Sequence, residues 1–283
     1  MDENKILCAD NLVIGNDGRA LTQKMSFRIG VGECILLCGA NGIGKSTLLR
    51  TLAGVIPAVG GEIGMRGRPV RVILVPARIP KVPGFSVTDF VATSCYRESD
   101  WLGRLPAKIR SRILETLETL GIGHLAARDI SSLSDGEFQK AAIATALLQQ
   151  AEVILLDEPT AFLDVDSRES ALCTLREVAL GKHVSIIFSS HDIHTAAKYC
   201  TRVFGMQVGD ERDQDMDSED GRSLAELIDT GPECTREQRD AVFSRCFRYW
   251  GEDSENYFLG LPRRIFGKIL HLRRKRLNLH SCL

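Results

Sequence analysis

The segment Gly39-Ala40-Asn41-Gly42-Ile43-Gly44-Lys45-Ser46-Thr47 constrains this chain more than any other, because its chemistry works at one kind of strand-to-helix junction. It follows Cys34-Ile35-Leu36-Leu37-Cys38, a short apolar run suited to a buried strand, and Ser46 to Ala53 reads as a helix. Gly39, Gly42 and Gly44 allow backbone conformations closed to residues with a Cβ. Successive N–H groups then turn inward beside the positive end of the helix and cradle phosphates. Ala40, Asn41, Ile43 and Thr47 belong to the same nucleotide-binding loop. Lys45 is expected to reach the β- and γ-phosphates, and the Ser46 hydroxyl to ligate Mg²⁺. A chance match to this glycine-lysine pattern has odds of roughly 1% in such a chain, so the segment predicts a Mg-nucleotide site.

The run Val153-Ile154-Leu155-Leu156 ends in Asp157-Glu158, an apolar strand delivering two carboxylates where open α/β sheets bind ligands. Adjacent acids alone are a common solvated strand end; the preceding strand and the phosphate loop give these two separate tasks. Asp157 is expected to hold the magnesium shell. Glu158, pointing the other way from the strand tip, is expected to orient and deprotonate the attacking water. A third apolar run, Val184 to Ser190, ends in His191. A lone histidine at a strand end is usually structural, yet a strand lying beside the other two puts this one close to the γ-phosphate. Lys45, Glu158 and His191 are the expected catalytic set.

Between these strands lies Leu133-Ser134-Asp135-Gly136-Glu137, ahead of a helical stretch from Glu137 to Gln150. Taken in order, the motifs resemble the nucleotide-binding subunit of ATP-binding cassette (ABC) transporters over residues from about 10 to 206. Gly39 to Thr47 resembles the family's Walker A loop, Leu133 to Glu137 its signature, Val153 to Glu158 Walker B, Ala161-Phe162-Leu163-Asp164 the D-loop, and His191 the switch histidine. The resemblance implies an α/β fold, a P-loop NTPase core of ABC type with an antiparallel β subdomain and a helical signature subdomain. It also implies ATP and Mg²⁺ as ligands and a head-to-tail homodimer, each ATP lying between one subunit's phosphate loop and the other's signature. Ser134 and Gly136 then act across the dimer, with the helix N-terminus presenting hydroxyl, N–H and dipole to the γ-phosphate. Thr160 to Val165 and Ser190 to Tyr199 look most like subunits that energise importers of iron-siderophore, haem or cobalamin.

Three positions depart from the family pattern. After the strand Val72-Ile73-Leu74-Val75, Pro76 is followed by Ala77 where the family usually has a glutamine that touches Mg²⁺ and couples to the membrane subunit. A methyl group ligates no metal, and Arg78 carries no acceptor. Asn16 stands where an aromatic often stacks on adenine. Asp135 replaces a usual glycine in the signature and brings negative charge towards the γ-phosphate, in the first turn of a helix that accommodates it.

The chain has 283 residues, 44% of them hydrophobic, enough for one sizeable core. The expected division is an ABC-type nucleotide-binding domain over 5-206, with its helical subdomain at about 86-150, and a divergent extension over 207-283. A net charge of −1 creates no strong field for nucleic acid, so none is expected as a partner. Nine cysteines lack C-x-x-C spacing and read as reduced thiols. No run of about 18 apolar residues and no signal peptide is seen. Any membrane association is therefore expected through other subunits, and the resemblance implies two copies of a polytopic permease subunit, served by a substrate-binding protein, that hold the chain peripherally at the cytoplasmic face of the inner (cell) membrane.

Elsewhere, Asn16-Asp17-Gly18 reads as a turn, Ser86-Val87-Thr88-Asp89 as a helix start, and Ala107 to Leu120 as a helix with apolar residues at helical spacing. Asp210 to Asp220 reads as a solvated acidic loop, Ser223 to Ile228 as a short helix, and Arg263 to Arg276 as a basic helix that packs on its own dimer, meets lipid headgroups or, least of all, binds nucleic acid. Tyr249, Trp250 and Tyr257 read as core or interface residues. The leading functional reading is an importer ATPase. A soluble ABC-type switch regulating a protein or nucleic-acid partner, and a subunit that binds ATP but hydrolyses it poorly, remain open beside it.

Overall fold

In this computed structural model, residues 5–65, 70–209, 224–232 and 234–247 are described. The acidic stretch 210–220, the basic stretch 263–276 and the aromatics Tyr249, Trp250 and Tyr257 lie outside them.

The chain begins with β1 (Lys5–Val13), the short strands β2 (Gly15–Asn16) and β3 (Arg19–Ala20), and β4 (Met25–Gly30). In β4 the buried residues Met25, Phe27 and Ile29 alternate with exposed Ser26 and Arg28, as expected of a strand with one solvated face. The Asn16-Asp17-Gly18 turn is present. Asp17 and Gly18 both take positive φ (51° and 78°), the backbone that a tight hairpin requires.

Next come β5 (Cys34–Gly39), α1 (Lys45–Leu52), β6 (Gly60–Met65) and β7 (Val72–Val75). The helical stretch holds α2 (Val87–Ala92), α3 (Ala107–Thr119) and α4 (Asp135–Leu148). The chain then runs through β8 (Val153–Leu156), α5 (Val165–Lys182), β9 (Ser185–Ser189), α6 (Ile193–Ala197), β10 (Arg202–Val208), β11 (Ala225–Asp229) and α7 (Arg236–Cys246).

Two main sheets result. One is antiparallel, ordered β4-β1-β6; the other is six-stranded, ordered β11-β10-β5-β9-β8-β7. In the second, β10, β5, β9, β8 and β7 run parallel, and every residue of β5, β8 and β9 is buried. Such continuous apolar runs belong to strands covered on both faces. The two sheets share one core: Leu7, Leu12 and Ile29 join Ile35, Leu48 and Met206 in a single buried cluster. Phe27 and Phe204 meet there with ring centroids 5.0 Å apart. Strand β5 carries the phosphate loop at its end, so that loop stands on a strand buried along its whole length.

Of the run Ser223 to Ile228, expected as a short helix, residues 225–228 instead belong to β11, which pairs antiparallel with β10 through Val208↔Ala225 to Phe204↔Asp229. A short apolar run does not by itself distinguish helix from strand; here the open edge of β10 decides. Arg202 fastens this edge. It is 5% exposed, and its guanidinium binds Asp229, Glu33 (2.8 Å) and the Arg28 carbonyl oxygen (2.7 Å).

The helical stretch folds as its pattern predicts. Ser86 caps α2 in a reciprocal box with Asp89, and Ile109, Ile113 and Leu117 form the buried stripe of α3. Phe90 and Phe138 tie α2 to α4, with centroids 5.3 Å apart. Helix α4 is buried nearly all round, and so connects the signature rigidly to both the helical stretch and the sheet.

Candidate nucleotide-binding and hydrolysis site

At the carboxyl ends of β5, β9 and β8 the three motif-bearing segments lie side by side, as the strand order dictates. Gly39, Gly42 and Gly44 have φ values of 147°, 78° and 113°, all in the region that favours glycine. A Cβ on Gly39 would also collide with the Met206 carbonyl oxygen. Ala40, Asn41 and Gly42 are exposed and Ile43, Gly44, Ser46 and Thr47 half-buried, whereas Lys45 is 7% exposed. Its Nζ donates to the carbonyl oxygens of Gly39 (2.8 Å) and Ala40 (3.0 Å). Burial pushes the Lys45 pKa below its ordinary value, while Glu158, Cys38 and Asp157 pull it back up. The ammonium is thus a largely buried cation held by two carbonyl oxygens, and it can exchange them for a charge-assisted contact with an anion such as a phosphate oxygen.

Ser189 organises the second part of the site. Its hydroxyl accepts the Glu158 N–H at 2.8 Å and donates to Asp157 Oδ1 at 2.9 Å. One side chain on β9 thereby fixes both acids at the end of β8. Glu158 has φ of 49°, a left-handed backbone that costs energy in a residue with a Cβ and often marks functional positions. This turn separates the two carboxylates. Glu158 Oε1 accepts a hydrogen bond from His191 Nε2 at 2.6 Å, bringing two members of the expected catalytic set into contact. The hydroxyl of Ser46 and the carboxylate of Asp157 are hard oxygen ligands of the kind Mg²⁺ takes, and Ser189 holds the latter in place.

Beside His191, Asp192 caps α6 through Thr195 N and pairs with Arg168 Nη1 at 2.7 Å. Arg168 Nη2 also donates to the Leu163 carbonyl oxygen at 3.1 Å, so the segment 161–164 is tied to the His191 turn.

The signature forms a separate cluster. Ser134 caps α4: its hydroxyl accepts the Glu137 N–H (3.2 Å), while its own N–H and hydroxyl donate to Glu137 Oε2 (2.8 and 2.9 Å). These hydrogen bonds from Ser134 hold the Glu137 carboxyl below its usual pKa. Ser134 is exposed, and Gly136 is buried against Leu163 and Ser167. Asp135 is paired with Lys81 at 2.7 Å. A cavity of about 490 Å³ separates this cluster from the acids, with Ala77, Arg78, Lys81, Asp135, Glu158 and Phe162 in its wall. Ala77 contributes only a methyl group to that wall. Arg78 lies over the Phe162 ring, 5.1 Å from its centroid. Asn16 is exposed in the hairpin of β2 and β3.

Ser189, Lys81 and Arg168 are the residues that reading the sequence missed. Ser189 alone had a local signal, a polar residue buried within an apolar strand.

The parallel sheet, phosphate loop and acids define a P-loop ATPase. Residues 22–161 match the ABC transporter family model. Phosphonates import ATP-binding protein PhnC 2 of Nostoc sp. is 34% identical over 210 residues, covering 69% of this chain and 86% of that protein. Hemin import ATP-binding protein HmuV of Hahella chejuensis is 34% identical over 209 residues, covering 68% and 79%. A metal-chelate type ABC transporter solved in an inward-facing conformation superposes with a TM-score of 0.68 at 25% identity, over 85% of this chain and 89% of that one. The chain belongs to the ABC transporter family. It is an ATP-binding subunit, an ATPase that works on ATP with Mg²⁺.

Proposed function

We propose that this chain energises an importer of a metal-chelate or tetrapyrrole-like nutrient, of the iron-siderophore, haem or cobalamin kind. The observation that carries its hydrolytic part is the 2.6 Å contact between His191 and Glu158 at the sheet edge that bears the phosphate loop. The import direction is supported by the hemin and phosphonates relatives, and the substrate class by the hemin relative and the metal-chelate type transporter.

Lys45 and the amides of Gly39 to Thr47 bind the β- and γ-phosphates. Ser46 and Asp157 would hold Mg²⁺, which would offset the phosphate charge there. Glu158 accepts the proton of the attacking water, and His191 holds its carboxylate in the direction of attack. Ser134 and Gly136 of a second copy close over the γ-phosphate, a reading supported by the exposure of Ser134 at the start of α4. Closure by ATP and opening after hydrolysis then drive two permease subunits between their conformations, with a substrate-binding protein delivering the cargo. Among the described residues no helix is long and apolar enough to cross a membrane, so attachment to the cytoplasmic face runs through those subunits.

The test is capture of the Glu158→Gln chain from gently solubilised native membranes with Mg-ATP. Recovery of a polytopic permease supports the reading, and the cargo bound by its complex identifies the substrate. Recovery from the soluble fraction, with a soluble protein or nucleic acid attached, replaces importer by regulatory switch.

A further inference from the structure

Lys81 lies on the loop after β7, four residues beyond Ala77, and reaches 54 residues along the chain to the signature. Its ammonium makes three contacts there. It pairs with Asp135 Oδ1 at 2.7 Å, donates to the Leu133 carbonyl oxygen at 2.8 Å, and sits 5.4 Å from the centroid of the Phe138 ring. These contacts bracket Ser134 and Gly136 on both sides. The side chain of Lys81 is 25% exposed and that of Asp135 56%, so the pair is partly shielded at the cavity wall.

The charge arithmetic gives this arrangement its meaning. Asp135 and Glu137 both occupy the first turn of α4, where the helix dipole favours anions; Glu137 is taken up by the Ser134 cap, and Asp135 is the exposed one of the two. A γ-phosphate approaching the same helix end therefore competes with a carboxylate already there, and like charges at short range repel. Glycine at this position would leave only the Glu137 carboxylate, already bound by Ser134. With aspartate, a cation must cancel the added charge, and Lys81 is in contact.

We propose that Lys81 is a positioning residue for ATP-driven closure: it neutralises Asp135 and pins the Leu133 carbonyl, so that Ser134 and Gly136 present a donor surface to the partner-bound γ-phosphate. This rests on the reading that the signature acts across a dimer. It also makes the Ala77 loop a mechanical link, because any displacement of that loop is passed through Lys81 to the signature.

The test uses the full chain carrying Glu158→Gln, with dimer formation followed by light scattering as Mg-ATP is added. Lys81→Met is expected to raise the ATP needed for half-maximal dimer about tenfold, as an uncancelled like charge at an interface does. Nucleotide binding by the monomer, read at high dilution, stays the same. Adding Asp135→Gly to Lys81→Met recovers most of the loss, and Lys81→Arg retains closure. Raising salt narrows the Lys81→Met deficit, which a purely structural defect would not do. A Lys81→Met chain that closes normally, or a deficit that Asp135→Gly leaves untouched, overturns the inference. Ser134→Arg separates the two levels: if it still closes normally, the cross-dimer reading has failed; if it blocks closure while Lys81→Met does not, only the role of Lys81 has.

Discussion

The phosphate loop and the signature loop, which the proposed mechanism brings to one nucleotide, are built in opposite ways. The phosphate loop ends a strand buried along its whole length, and its lysine is 7% exposed, held by two carbonyl oxygens. The signature ends nothing: Ser134 and Asp135 are exposed at the start of a helix and are held by a capping box and one ion pair. One half is finished by its own chain. The other is an exposed helix start. The contrast teaches that binding and turnover draw on different parts of the molecule, so damage to each half should leave a different trace.

The deepest predicted effect falls on turnover. Glu158→Gln removes the proposed base while leaving both loops intact, and steady-state ATPase assays should show kcat reduced by about 10²–10⁴ with Mg-ATP still bound. Lys45→Ala attacks the buried half. Loss of one partner of a buried charge contact costs about 2–5 kcal/mol, so titration with Mg-ATP should show affinity roughly thirty- to several-thousand-fold weaker. Arg202→Met tests whether that half depends on its scaffold, since it strands Glu33 and Asp229 without their cation beside β5. Urea unfolding should lose about 3–5 kcal/mol.

On the exposed half, Ser134→Ala removes a helix cap, and the same unfolding measurement should lose only about 0.5–2 kcal/mol. Its own-chain nucleotide affinity should stay put while closure weakens; a drop in monomer affinity would erase the contrast. Ala77→Gln is the mildest change. Supplying an amide oxygen at the cavity wall should raise the hydrolysis rate by about twofold, on the order of 0.4 kcal/mol in barrier. An unchanged rate would mean that the methyl position carries no missing ligand.

The halves also differ in how far the sequence revealed them. The phosphate loop is local: nine consecutive residues dictate the turn, the cradle and the helix that follows, and the strand before it reads as buried from composition alone. The Ser134 to Glu137 cap is equally local, because serine and glutamate three apart form a box within one turn. What was hidden is long-range. Ser189 meets Glu158 from 31 residues away, and Lys81 meets Asp135 across 54. Residues 225–228 misled for the same reason: the run admits helix or strand, and only the free edge of β10, absent from any local window, makes them part of β11. Asp135 looked like a charge aimed at the nucleotide until its partner from the Ala77 loop came into view.

The most direct test of a site divided between two chains is the mass of the Glu158→Gln protein by gel filtration with light scattering, with and without Mg-ATP. The account predicts a monomer that becomes a dimer holding two ATP molecules. A monomer that stays monomeric when saturated with ATP would contradict it.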